Sequence, residues 1–194
     1  MTKLKKEIEP QLDMAEQRYP KILKLIMAYA DYCDKNGDED HAEHKRLEEK
    51  LHLLTGKDMS RFNLWEWWEG DGAENLAFNI SLPEPRVVDN ITKEDLAEIV
   101  RRLKTYQEPA KNETLMGILF NGHRSNYFQK FLKINFSTYN IKLFQRHKDS
   151  NGNSYEYSME EIIEKIWNSG NHKHKQAEGL GSGMSSTIGN LQSS

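Results

Sequence analysis

The residues with the clearest chemical potential lie in segment 62–82, which holds three of the four tryptophans of the chain. Tryptophan is enriched among the residues that dominate the energetics of protein–protein interfaces. Here the tryptophans alternate with carboxylates, so that one exposed indole would lie inside an acidic rim. We therefore predict a partner-binding surface. Its residues are Trp65, Trp67, Trp68, Glu66, Glu69 and Asp71.

Two other interpretations of this cluster remain open. Aromatic residues at helical spacing commonly pack in a core, and the carboxylates would then solvate the outer side of a short helix. Glu66 and Glu69 could also act as acid and base in the manner of a glycosidase. That chemistry requires two converging carboxylates with separated pKa values, which the sequence does not establish. We predict no catalytic residue.

A second set of candidate residues is basic and lies in the C-terminal half. The predicted elements of residues 92–158 follow the order helix, helix, glycine-containing turn, helix and hairpin, which is that of a winged helix-turn-helix. This order suggests DNA binding as an alternative function, in which residues 125–133 form the recognition helix and residues 141–157 form the wing. The residues expected to contact nucleic acid are Arg124, Lys130, Lys133, Lys142, Arg146 and Lys148.

Charge is segregated along the chain. Residues 31–75 contain 13 acidic and 6 basic side chains, whereas residues 111–175 contain 10 basic and 6 acidic ones. The formal net charge is only −3, so no global field attracts nucleic acid or an anionic membrane. Such a polarised surface favours a non-enzymatic protein that binds another protein, with DNA binding as the alternative.

Possible metal and cofactor sites are weak. His41 and His44 are three positions apart, as in some metal sites, but His44 continues a leucine stripe and is better explained by packing. Residues 149–153 resemble a calcium loop, although the glycine is misplaced and the flanking residues are typical of strands. Phosphate-binding and hydrolase motifs are absent. We predict no metal ion and no cofactor.

The composition is that of one polar globular domain. The chain has 194 residues, of which 37% are hydrophobic and 10% aromatic. The single cysteine, Cys33, excludes an internal disulfide, and its position on an apolar stripe predicts a buried thiol. The sequence shows no apolar secretion signal and no apolar run of about 18 residues. We expect a soluble cytoplasmic protein with no membrane partner.

Helical periodicity predicts an N-terminal helical hairpin. Apolar residues recur at helical spacing in residues 3–35 and again from about 39 to 54. Gly37 and Gly56 supply the C-terminal stops. Pro10 and Pro20 each predict a kink or a new start in the first helix, because proline removes a backbone donor.

Residues 75–82 alternate strictly between apolar and polar side chains. Leu76, Phe78 and Ile80 would point to one side, with Ala77 and Ser81 on the other. This period of two predicts a half-buried strand with one wet face.

The remaining elements are predicted from caps and turns. Thr92 begins a helix over residues 93–107, and Ser158 begins the last one. Two helices, at about 113–120 and at 125–133, are separated by the stop signal Asn121-Gly122. Residues 140–158 form a hairpin whose turn is at Asn151-Gly152.

Together these elements predict an α+β fold. It comprises an N-terminal helical hairpin, a small antiparallel sheet with packed helices, and a disordered C-terminal tail. The hairpin covers residues 1–58, residues 59–168 belong to the same compact domain, and residues 169–194 form the flexible tail, which is rich in Gly and Ser.

Overall fold

The computed structural model describes residues 4–66, 70, 72–106, 108 and 111–167. Within these residues the chain forms six helices and one two-stranded antiparallel sheet, which confirms the α+β class. In chain order the elements are α1 (Leu12–Asn36), α2 (Ala42–Thr55), α3 (Gly72–Ser81), α4 (Lys93–Lys104), α5 (Leu115–Asn135), β1 (His147–Lys148), β2 (Ser154–Tyr155) and α6 (Met159–Trp167). Two 3-10 turns occur at Met59–Arg61 and Ile141–Phe144. The predicted tail at residues 169–194 lies outside the described residues.

The N-terminal helical hairpin is confirmed, with one break fewer than expected. Helix α1 begins at Leu12, just after Pro10, and packs against α2. It continues through Pro20, where a kink or a new start was predicted. The expected new start is wrong because Tyr19 and Ile22, on either side of this proline, are both buried on one continuous face. That burial offsets the lost hydrogen bond.

The predicted strand at residues 75–82 is wrong, because this segment forms helix α3. Ala77 and Ser81, expected on the wet face, are both 0% exposed. Alternation over so few residues also fits a helical face, since positions four apart are neighbours on a helix. Helix α3 packs most extensively against α1, and its small residues Ala73 and Ala77 are buried.

The predicted break in the second half is also wrong. Helix α5 runs from Leu115 to Asn135 without interruption, and Gly122 does not adopt the left-handed conformation of a helix stop. The buried residues Phe120 and Phe128 lie on either side of this glycine, so ending the helix would expose a continuous apolar stripe. Packing therefore overrides the local stop signal. The turn required by a helix-turn-helix is absent from this segment.

Helix caps predicted from the sequence are confirmed. Thr92 accepts a hydrogen bond from the backbone N–H of Asp95, and the Asp95 carboxylate accepts one from the N–H of Thr92. Helix α4 ends at Lys104, three residues earlier than predicted. Ser158 and Glu161 form the same reciprocal pair at the start of α6.

The hairpin turn is confirmed, but its strands are shorter than predicted. His147 pairs with Tyr155, and Gly152 in the turn has a φ of 82°. Residues 141–144, which fall within the predicted hairpin, form a 3-10 turn instead of strand. Asn140 caps that turn by accepting a hydrogen bond of 3.0 Å from the N–H of Lys142, so a local side chain competes with strand pairing.

Candidate protein-binding cleft

A cleft of about 320 Å³ lies between the C-terminal half of α1 and the segment that contains Leu64 and Trp65. We call it the Trp65 cleft. Its apolar lining is completed by two carboxylates. The lining residues are Met27, Tyr29, Ala30, Asp31, Cys33, Asp34, Leu64 and Trp65.

Trp65 is held in place by its neighbours in the chain. Leu64 is 1% exposed and anchors the segment in the core. The side-chain oxygen of Asn63 accepts hydrogen bonds from the backbone N–H groups of Trp65 and Glu66, at 3.2 and 2.9 Å. The side chain of Asn63 therefore orients the backbone that carries Trp65. Trp65 itself remains 38% exposed at the cleft.

The indole of Trp65 also packs on two rings from the hairpin. Its centroid lies 6.2 Å from that of Tyr29 and 5.6 Å from that of His41, both in edge-to-face geometry. His41 adopts the left-handed conformation, with a φ of 56°. Edge-to-face aromatic pairs stabilise the arrangement beyond the area that they bury. One wall of the cleft is therefore fixed before any partner arrives.

Asp38 connects this wall to the start of α2. Its carboxylate accepts hydrogen bonds from the N–H groups of Glu43 and His44, at 3.1 and 2.9 Å, and from the Tyr29 hydroxyl at 3.2 Å. Burial opposes ionisation, but the hydrogen bonds from His44, Glu43 and Tyr29, together with the nearby His41, lower the pKa of Asp38. Burial, together with Cys33 and Asp38, raises the pKa of Tyr29 well above its ordinary value. Tyr29 therefore acts as a neutral donor.

The rim of the cleft is acidic. Asp31 and Asp34 lie on successive turns of α1, and Glu66 is exposed next to Trp65. Residues 31–43 contain six acidic side chains and one basic one, Lys35. An apolar floor inside a negative rim is complementary to an apolar side chain flanked by Lys or Arg.

Only part of the predicted partner-binding set can be placed. Trp65 lines the cleft, and Glu66 is the exposed residue that follows it. Trp67, Trp68, Glu69 and Asp71 lie outside the described residues.

No residue of α1 was assigned to the binding surface from the sequence, although the helix lines the cleft. The sequence did contain a signal for it. Met27 and Tyr32 fall off the core face of this helix and are 42% and 40% exposed. Cys33, expected to be buried, is half-buried and lines the cleft.

The basic candidates do not converge on one surface of α5. Arg124 and Lys133 are nine positions apart, which places them about 180° apart around a continuous helix. Arg124 is half-buried, and burial together with Arg102 and Arg101 lowers its pKa. Lys130 lies 3.2 Å from Glu84.

On the hairpin side, Lys142 and Lys148 are exposed, and Arg146 lies 3.6 Å from Glu156. Tyr127 and Phe128 are 7% and 0% exposed, so their rings do not crowd an exposed recognition surface. DNA binding stays a prediction, without the helix-turn-helix that motivated it.

His41 and His44 are part of an aromatic cluster rather than of a group of ligands. Their ring centroids lie 6.4 Å apart, and His44 also contacts Tyr29 at 5.8 Å. Among the residues placed by the structure, no group of three or more His, Cys, Asp or Glu side chains is arranged to hold a metal ion. Over the same residues, no helix is long and apolar enough to cross a membrane.

Comparison with known proteins leaves the cleft as the main guide to function. No family model, curated protein or solved structure matches the chain.

Proposed function

We propose that this chain is a cytoplasmic, non-enzymatic binding protein that holds a segment of a partner protein in the Trp65 cleft. The segment carries a large apolar side chain flanked by Lys or Arg. The observation that supports this proposal is a partly exposed tryptophan at the edge of an apolar cleft with an acidic rim. Tryptophan anchors of this kind dominate the energetics of many interfaces.

The dimensions of the cleft fit a peptide segment. Its volume of about 320 Å³ is at the lower end of the range for ligand pockets, about 300–1,000 Å³. The Met27 side chain, 42% exposed, adds a flexible apolar surface that adapts to different anchors. The carboxylates of Asp31 and Asp34 then select against acidic segments, because like charges at an interface are strongly unfavourable.

Selection from a random displayed-peptide library on the immobilised full chain tests the proposed class of partner. We expect the enriched peptides to share an apolar anchor with adjacent Lys or Arg. Affinities are then measured by fluorescence anisotropy with a labelled enriched peptide. Trp65→Ala and the double variant Asp31→Lys/Asp34→Lys should each weaken binding by about tenfold or more.

Tyr106→Ala provides the matched control, because Tyr106 is 83% exposed and lies outside the cleft. Its affinity should stay within about twofold of the parent. The cleft also contains the one cysteine of the chain, so bound peptide should slow the alkylation of Cys33 by N-ethylmaleimide. Unchanged affinity in a folded Trp65→Ala variant, or enriched peptides without basic residues, would overturn the proposal.

A further inference from the structure

A second site, separate from the Trp65 cleft, surrounds a buried lysine in the segment after α2, where this segment lies beside the end of α3 and beside α5. The side chain of Lys57 is only 7% exposed. Its Nζ donates a hydrogen bond of 2.7 Å to the carbonyl oxygen of Asn79, in the last turn of α3. Carbonyl groups in the last turn of a helix lack helical partners, so this bond caps α3. It uses one of the three ammonium donors.

The charge of Lys57 is poorly matched by its surroundings. Among the described residues, the only carboxylate within ion-pair distance is that of Glu84, at 4.0 Å. The same carboxylate lies 3.2 Å from Lys130 and 3.9 Å from Arg61. Three cations therefore share one anion, which leaves a local charge of about +2.

Additional positive charge lies nearby. Arg18, from α1, is close enough to disfavour the charged form of Lys57, as are Arg61 and Lys130. A buried cation without a close counter-ion is costly unless an anion joins it.

A narrow recess opens between these residues. Its free volume is about 20 Å³, enough for one water molecule or one oxygen atom. Polar side chains from α5 complete a lining capable of hydrogen bonding. The lining residues include Lys57, Glu84, His123, Asn126, Tyr127 and Lys130.

We infer that this recess binds a phosphate group, with one oxygen between the ammonium groups of Lys57 and Lys130. The size of the recess admits a single oxygen, so the rest of the phosphate group lies at its mouth, on the side of exposed Asn126 and Lys130. A phosphate dianion matches the local excess of positive charge. Ammonium–phosphate hydrogen bonds are charge-assisted, and therefore stronger than those between neutral groups. The ligand is either free phosphate or a phosphomonoester, because both present the same group.

Calorimetric titration of the full chain with inorganic phosphate tests this site. At pH 7.5 and constant ionic strength, we expect saturable binding that chloride does not reproduce. Lys57→Met and Lys130→Met should each weaken binding by about tenfold or more. Glu84→Gln should strengthen it, because the competing carboxylate is removed while the cations remain.

Lys50→Met is the matched control, since Lys50 is an exposed lysine of α2, seven positions before Lys57, and lies outside the recess. Its phosphate affinity should equal that of the parent. Glycerol 2-phosphate distinguishes the two sources. Tighter binding than phosphate identifies an organic phosphomonoester, and equal or weaker binding identifies the free ion.

Absence of saturable binding, equal binding of chloride, or equal weakening by Lys50→Met would overturn the inference. The inference would also be overturned if Glu84→Gln bound phosphate more weakly than the parent. Circular dichroism verifies the fold of each variant. If Lys57→Met does not fold, the opposite effects expected of Lys130→Met and Glu84→Gln still decide the outcome.

Discussion

Glu9 and Arg102 are 93 positions apart in the chain, yet both carboxylate oxygens of Glu9 accept hydrogen bonds from the Arg102 guanidinium, at 2.8 and 2.9 Å. Arg102 also donates to Glu98 at 2.9 Å, and its guanidinium lies over the ring of Phe128. This network joins the segment before α1 to α4 and α5. Because the Glu98 side chain is only 4% exposed, its charge depends on the arginines around it.

We expect Glu98→Gln to reduce the acid sensitivity of the fold. Hydrogen bonds from Arg101, followed by Arg102, lower the pKa of Glu98 to about 2, from 4.5. A carboxyl whose pKa is lower in the folded state contributes stability that is present above pH 4.5 and lost as the pH falls towards 2. In urea unfolding between pH 2 and 6, the free energy of unfolding of the variant should therefore vary less with pH than that of the parent. The two free energies should converge near pH 2.

Glu94→Gln is the control for this measurement, because Glu94 is exposed on the same helix. It should retain the steep dependence of the parent. If both variants follow the parent curve, the Glu98 network does not determine acid stability.

We expect Asn135→Ala to destabilise the fold by about 3 kcal/mol, because buried backbone groups lose their partners. Asn135 is 2% exposed, and its side-chain oxygen accepts a hydrogen bond of 2.9 Å from the N–H of Val88. Its amide nitrogen donates to the carbonyl oxygens of Arg86 and Phe131, at 3.1 and 2.9 Å. Chemical denaturation measures the loss.

Asn135→Asp refines the same test. At neutral pH this variant should lose as much folding stability as Asn135→Ala, because a carboxylate oxygen would face two carbonyl oxygens. Stability should partly recover at low pH, where the protonated carboxyl donates again. Ser125→Ala, at an exposed position of α5, should change stability by no more than about 0.5 kcal/mol.

We expect Lys57→Met to be more stable than the parent at pH 7, and this advantage to shrink as the pH rises. Burial, assisted by neighbouring cations, lowers the pKa of Lys57 to about 8, from 10.5. The parent therefore gains stability between pH 8 and 10.5, where the folded state releases a proton that the unfolded state retains. The full gain is about 3 kcal/mol.

Paired denaturation curves at successive pH values measure this difference in phosphate-free buffer. Burial raises the pKa of Tyr127 to about 12, which opposes the gain above pH 10, but this contribution is common to both proteins and cancels. A constant stability difference between parent and variant across the range would contradict the prediction.

We expect Gly122→Ala to stabilise the protein by about 0.5–1 kcal/mol, since alanine restricts the unfolded chain and favours the helix. A Cβ atom at this position would meet nothing within 4 Å, and α5 is continuous here. Thermal unfolding measures the change. If the helix ended at Asn121-Gly122, as the sequence indicated, the same substitution would destabilise the protein.

Gly152→Ala should have the opposite effect. Gly152 has a φ of 82° in the hairpin turn, a conformation that alanine rarely adopts. The opposite stability changes of the two substitutions therefore distinguish a glycine inside a helix from a glycine in a turn.

The amino-acid sequence alone determined the features that depend on neighbours in the chain. The capping pairs Thr92 with Asp95 and Ser158 with Glu161 join residues three positions apart, so the sequence contains the whole interaction. The stop at Gly56 and the turn at Gly152 depend on backbone conformations that glycine alone adopts readily. The sequence also marked Trp65 as a candidate binding residue, because it is one of four tryptophans and lies among carboxylates.

Tertiary structure decided the features that depend on distant residues. The alternation in residues 75–82 fits a strand or a helix, and packing against α1 selects the helix α3. Burial of Phe120 and Phe128 along one face carries α5 through Gly122. Trp65 shares a cleft with Met27 and Asp31 only because α1 lies beside it. Lys57 shares a recess with Lys130 only because the segment after α2 lies beside α5. Local propensities differ by about 1 kcal/mol, whereas burying one large side chain contributes about 1.5–3 kcal/mol, so long-range packing prevails where the two conflict.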